Sequence, residues 1–122
     1  MPIAVLGPTA LDCRDPRALA EFYAQVLGGT VKQVHEDWIE LTLEGGARLA
    51  FQHVPGHVAP QWPGTTGAQQ LHLDLEVPRA ELDSAQERVL ALGATLLDAG
   101  DGERGWRVYA DPAGHPFCLC AC

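Results

Sequence analysis

His72 and Asp74 alternate in the segment Leu71-His72-Leu73-Asp74-Leu75-Glu76-Val77. In a strand, residues two apart share a face. Gln70, His72, Asp74 and Glu76 would then lie together, against Leu71, Leu73, Leu75 and Val77. A histidine beside a carboxylate is either a proton-transfer dyad or an imidazole oriented by its Asp. Four polar side chains on one face imply a wetted surface, a cavity or a dimer interface. Cys118, Cys120 and Cys122 also alternate. Such a run suits a soft metal, or it consists of small apolar strand residues and a frayed terminus. Cys118 would act as a nucleophile only with a base near it, and its sequence neighbours supply none. Trp38 and Trp106 are candidates to stack on a planar ligand, with structural packing as the alternative. Trp62, in Pro-Gln-Trp-Pro, reads as a lid or interface residue. His53 and His57 flank Pro55-Gly56, where they are either general acid–base groups or solvated loop histidines. Gln52 precedes His53 on the same predicted strand. There is no Gly-rich phosphate loop and no G-x-S-x-G nucleophile elbow.

The elements that must position these groups are readable from periodicity. A strand is predicted over Ala4–Cys13, with Gly7 and Pro8 bending its start. Asp15 and Pro16 supply an N-cap and a first helical residue, and the helix runs from Pro16 to Leu27. Leu19, Phe22, Tyr23, Val26 and Leu27 form its apolar stripe, and Gly28-Gly29 stops it. Strands follow at Thr30–His35, Trp38–Leu43 and Arg48–Val54, the last two joined at Gly45-Gly46. A Pro- and Gly-rich loop covers 55–68. The second half then offers a strand at Gln70–Val77 and a helix at Pro78–Leu92 with Leu82, Ala85, Val89 and Leu92 inward. Three more strands are predicted at Ala94–Asp98, Arg107–Ala110 and Phe117–Ala121. Asp111-Pro112-Ala113-Gly114 forms the last turn.

The two halves repeat. Aligning Asp37–Gln52 with Gly105–Cys120 puts Trp38 on Trp106, Gly46 on Gly114, Leu49 on Phe117 and Phe51 on Leu119. Each half reads strand–helix–strand–strand–strand and is small for an independent core. The fold class predicted is α+β: two tandem βαβββ modules forming a curved, mostly antiparallel eight-stranded sheet with helices outside. One domain is expected over 1–122, with half-repeats of about 1–54 and 69–122 joined by the loop.

Four segments carry a resemblance to a known family: Asp15–Gly28, Leu71–Val77, Leu92–Thr95 and Asp111–Leu119. Together with Trp-Ile-Glu-Leu-Thr-Leu and Leu-Ala-Phe-Gln-His-Val-Pro they resemble the vicinal oxygen chelate superfamily and its small glyoxalase-like domain proteins. That superfamily holds glyoxalases, extradiol dioxygenases and bleomycin-resistance proteins. The resemblance implies four metal-ligand places, on the first and last strands of each half. Here they hold Pro8, Ala50, His72 and Cys118. A catalytic ion wants three protein ligands and an open position, so one His and one Cys fall short. The expectation is a pocket without a cofactor, with a divalent metal anchored by His72 as the alternative. His72 and Asp74 are the catalytic candidates, and Trp38, Gln52, His53, Trp62, Trp106 and Cys118 the ligand-binding ones. The function expected is binding of a small organic molecule, in the manner of resistance or sequestration proteins. The alternative is a lyase or isomerase using His72. The resemblance also implies a homodimer.

Composition sets the boundaries. The chain has 122 residues, 47% of them hydrophobic and 20% charged, enough for a packed core. Its net charge of −8 argues against nucleic acid and anionic membrane surfaces, which reward basic patches. No apolar run reaches the roughly 20 residues of a membrane helix. The start lacks a basic region before an apolar one. Four cysteines without a disulfide-like density point to a reducing, cytoplasmic setting.

Overall fold

The computed structural model describes residues 2, 6–61 and 71–121. It divides into two compact units, Met1–His57 and Val58–Cys122.

The first unit contains β1 (Thr9–Cys13), α1 (Pro16–Leu27), β2 (Thr30–His35), β3 (Trp38–Thr42) and β4 (Arg48–His53). Its sheet order is β1-β4-β3-β2. The pair β1–β4 is parallel, because α1 and two strands intervene, and the other pairs are antiparallel. Helix α1 starts where the sequence indicates: the Ala18 N–H donates to Asp15 Oδ1 at 3.1 Å and Pro16 occupies the first turn. It ends at Gly28, whose N–H donates to the Ala24 carbonyl at 2.8 Å. Leu19, Ala20, Phe22 and Tyr23 are buried, facing β3 and β4. The Tyr23 ring stacks on Phe51 at 5.8 Å, and Phe22 meets Tyr23 edge-on at 5.0 Å. Ile39 and Leu41 alternate into this core, as the two-residue period requires.

The second unit repeats the plan with β5 (Leu73–Val77), a 3-10 turn (Arg79–Glu81), α2 (Leu82–Ala91), β6 (Thr95–Asp98), β7 (Trp106–Ala110) and β8 (Pro116–Ala121). The order is β5-β8-β7-β6, with β5–β8 parallel. The registers repeat too: Trp38 pairs with Gln52 as Trp106 pairs with Cys120. The tandem βαβββ reading is therefore correct, and the eight strands are hydrogen-bonded as two four-stranded mixed sheets. Tyr109 and Phe117 stack at 5.4 Å in the core. Polar ties fix α2 on the sheet. Gln86 Oε1 accepts from Tyr109 Oη at 2.8 Å and from Arg107 at 3.1 Å, and Asp83 accepts from Arg107 at 2.7 Å.

Several strand ends differ from the predicted ones by a single residue, and three boundaries differ by more. The first strand begins at Thr9 rather than Ala4, although 3–5 are outside the described residues. The strand predicted from Gln70 begins at Leu73, with Leu71 and His72 before it. The second helix is shorter than predicted. Pro78 and Arg79–Glu81 form a tighter turn, and Leu92 is a C-cap residue, 40% exposed, not part of the buried stripe.

Candidate functional site

Parallel pairing of β5 with β8 sets Asp74 beside Cys118 and Glu76 beside Cys120. Antiparallel pairing of β8 with β7 continues these rows to Val108 and Trp106. Side chains of one row share a face, so the register alone gathers Asp74, Cys118, Cys120 and Trp106. His72, two residues before Asp74, joins them. Its Nε2 lies 3.2 Å from Asp74 Oδ1. One donor atom each from His72, Asp74 and Cys118 falls within 4.8 Å of the others. A concavity of about 460 Å³ opens above them, lined by His72, Asp74, Gly105, Trp106, Cys118, Cys120 and Ala121. On the predicted polar face His72, Asp74 and Glu76 are exposed while Leu73, Leu75 and Val77 are half-buried; His72 and Asp74 line the concavity, Glu76 does not, and Gln70 lies outside the described residues.

Trp106 is held in place by its neighbours. Arg104 lies 5.0 Å over its ring and donates from Nε to the Trp106 carbonyl at 2.9 Å. Asp98 accepts from the same guanidinium at 3.1 Å. Gly105 leaves the edge of the concavity low. A β-carbon there would sit 3.6 Å from the Arg79 guanidinium and 3.8 Å from the Ala121 carbonyl.

Cys118 is 3% exposed. Burial, then the neighbouring Asp74 and Cys120, pushes its thiol up to about 11, and the thiol is hydrogen-bonded to Asp74. It is therefore a neutral thiol at pH 7 and not an activated nucleophile. A thiol held above its ordinary value stabilises the folded state below that value and loses the contribution as pH rises through about 11. Urea midpoints of the wild type should fall more steeply above pH 9 than those of Cys118→Ala, because only the wild type has this proton to lose. Parallel curves would remove the burial argument.

The other expected residues are distributed as follows. Trp38 opens β3 and faces Gln52 of β4, both half-buried. Its indole N–H donates to Glu40 at 2.8 Å, and Glu40 also accepts from Arg48 at 3.2 Å. The Trp38 indole is thus held through its N–H by a carboxylate, whereas the Trp106 ring is covered by a guanidinium. His53 ends β4, exposed, and its backbone N–H donates to the Asp37 carbonyl. Trp62 lies outside the described residues. In the first unit the row that matches Asp74 and Cys118 holds Ala10 and Ala50, and the place of His72 is taken by Pro8. The count of two donors drawn from the sequence omitted Asp74. It was read only as a partner for His72, whereas its register beside Cys118 brings a third potential donor atom to the cluster. Cys120, Gly105 and Ala121 were missed as lining residues, because their place depends on which strands pair.

Among the described residues no helix is long and apolar enough to cross a membrane. No curated protein matches the chain. Solved structures share the fold at low identity. A glyoxalase/bleomycin resistance protein/dioxygenase family enzyme from Burkholderia phytofirmans is 22% identical, with a TM-score of 0.73 over 95% of this chain and 97% of that one. The fosfomycin resistance protein of Mesorhizobium loti is 16% identical, with a TM-score of 0.72 over 98% and 93%. That of Listeria monocytogenes, in complex with Mn(II) and sulfate, is 17% identical, with a TM-score of 0.69 over 98% and 90%. The sequence model of the glyoxalase-like domain matches residues 8–120, nearly the whole chain, and the chain belongs to that family.

Proposed function

We propose that the chain binds a small, planar organic molecule on the face formed by β5, β8 and β7. The observation that carries this reading is the convergence of a fixed, 46% exposed Trp106 and a His72–Asp74 pair in one concavity. The indole supplies a flat apolar wall, and the imidazole and carboxylate supply a donor and an acceptor that set orientation. Both roles use only this chain's own side chains.

The test is intrinsic fluorescence with a panel of planar aromatics such as benzoate, quinoline and anthraquinone sulfonate. Saturable quenching is expected, weakened about tenfold in Trp106→Ala, the equivalent of one aromatic contact, and kept in Trp38→Phe. Absence of saturable quenching across the panel, or undiminished affinity in Trp106→Ala, would overturn the reading.

A second reading, a lyase or isomerase, is favoured by the 3.2 Å contact between His72 and Asp74. His72 would take or return a proton at Nε2, with Asp74 orienting the ring. His72→Ala should then abolish turnover of any ligand found in the panel without loss of folding, and retained turnover would end this reading. The superfamily also implies a divalent metal, and the chemistry of the donor set fits one. His72, Asp74 and Cys118 would hold it, leaving a coordination position open. Such an ion, when bound, supplies Lewis-acid polarisation of a ligand oxygen.

A further inference from the structure

We propose that His72, Asp74 and Cys118 select a single thiophilic divalent ion of the zinc or cobalt class, and that the second unit alone provides its three donors. This rests on the reading of the β5–β8 face as a ligand site and specifies which ion that site accepts.

The first argument is geometric. Tetrahedral zinc, with bonds of about 2.0–2.3 Å, sets its nitrogen, oxygen and sulfur donors roughly 3.3–3.6 Å apart. The His72 Nε2–Asp74 Oδ1 separation of 3.2 Å is already at that spacing. The thiol completes a triangle with all sides within 4.8 Å. His72 and Asp74 have side chains 40% and 60% exposed, so they are the members that can rotate to close on an ion. Cys118 is fixed in a central strand with Asp74 on one side and Val108 on the other.

The second argument is the donor set. One imidazole, one carboxylate and one thiolate make a mixed site. Hard ions such as magnesium or manganese prefer six oxygen-rich positions, whereas a thiolate selects zinc-class ions. The first unit adds no donor of its own at the equivalent places, which hold Pro8, Ala10 and Ala50. The site therefore cannot be the symmetric four-ligand arrangement that the repeat would allow, and sulfur is one donor in three.

The exchange balances simply. The Cys118 S–H bond breaks, its proton goes to solvent, and a sulfur–metal bond forms with no change of oxidation state. Asp74 gives up its contacts with the thiol and the imidazole for a bond to the ion. His72 binds through Nε2 as the neutral ring with its proton on Nδ1.

The experiment titrates chelator-treated, full-length protein with cobalt(II). Saturation at one equivalent is expected, with a near-ultraviolet thiolate-to-cobalt charge-transfer band. Zinc should abolish the band, and manganese at about 100-fold excess should not, as thiolate preference and the affinity order both dictate. Folded Cys118→Ser should lose the band and Cys120→Ser should keep it. His72→Ala should weaken cobalt binding by about 100-fold or more, since even outer-shell losses cost 10–100-fold. If Cys118→Ser does not fold, X-ray absorption of zinc-loaded wild type decides, with one sulfur expected at about 2.3 Å. A missing charge-transfer band, a band retained in folded Cys118→Ser, or a zinc shell without sulfur would each overturn the proposal. Its failure is separable from that of the pocket reading: aromatic quenching without cobalt binding leaves the pocket and removes the ion. Cobalt binding without quenching does the reverse.

Discussion

Phe117→Ala should lower the stability of the protein by about 3–5 kcal/mol, read as a shift of the urea midpoint with an unchanged slope. Phe117 is fully buried, pairs with Leu73 on one side and Tyr109 on the other, and stacks on the Tyr109 ring. Truncation removes that stacking as well as the buried area, and β8 cannot slide to refill the space without moving Cys118 off its row. Against a typical total of roughly 5–15 kcal/mol, the loss takes a large share of the margin. The same variant should expose the Cys118 thiol, so alkylation at pH 9 should rise together with the loss of midpoint. A change of less than about 1 kcal/mol would mean that the second core is not organised around this ring.

Gly29→Ala should cost roughly 2–4 kcal/mol, while Gly28→Ala beside it should cost about 1–2 kcal/mol. Both glycines have positive φ, +77° at Gly28 and +94° at Gly29. Their surroundings differ. A β-carbon on Gly28 meets open space, so only the backbone preference is charged against it. On Gly29 it would lie 2.5 Å from the Thr42 carbonyl oxygen and 3.2 Å from the side chains of Leu41 and Leu43. The neighbour is strand backbone paired in register, with Thr30 facing Thr42, so relief requires opening the β2–β3 pair. Equal effects at the two positions would refute the close-approach argument.

Much of this was legible because it is local. The Asp15 cap, the Gly28 stop, the Trp38–Leu43 alternation and the Asp111-Pro112-Ala113-Gly114 turn each depend on a few neighbouring residues. In that turn Asp111 Oδ1 accepts from the Ala113 and His115 N–H groups, at 2.9 and 3.0 Å. The alternation from His72 to Glu76 also marked the polar face correctly. The metal-capable trio was only partly legible. His72 and Cys118 were singled out by resemblance, but the third donor depends on the register Asp74–Cys118, and pairing between distant strands leaves no local trace in sequence. The helix stripe failed at Leu92 for a related reason: the last apolar residue of a helical pattern can belong to the cap, and the turn at Gly93 takes it out of the core. The paired tryptophans looked equivalent by repeat. Their neighbours separate them, since Glu40 holds the indole of Trp38 and Arg104 covers Trp106.

The parallel pairing of β5 with β8 also governs when the site can exist. In the strand order β5-β8-β7-β6, the strand that comes last in sequence occupies an inner position, and β5 has no partner in its sheet until β8 inserts. Hairpins such as β7–β8 close over short loops, but seating β5 closes a much longer one, which is entropically the dearer step. The imidazole and carboxylate ride on one side of that closure and the thiol on the other. Occupancy of the site and completion of the second sheet are thus linked equilibria: an occupant with affinity only for the closed sheet would raise its stability logarithmically with concentration. A chain arrested before β8 docks has all the chemistry in its sequence and none of the site.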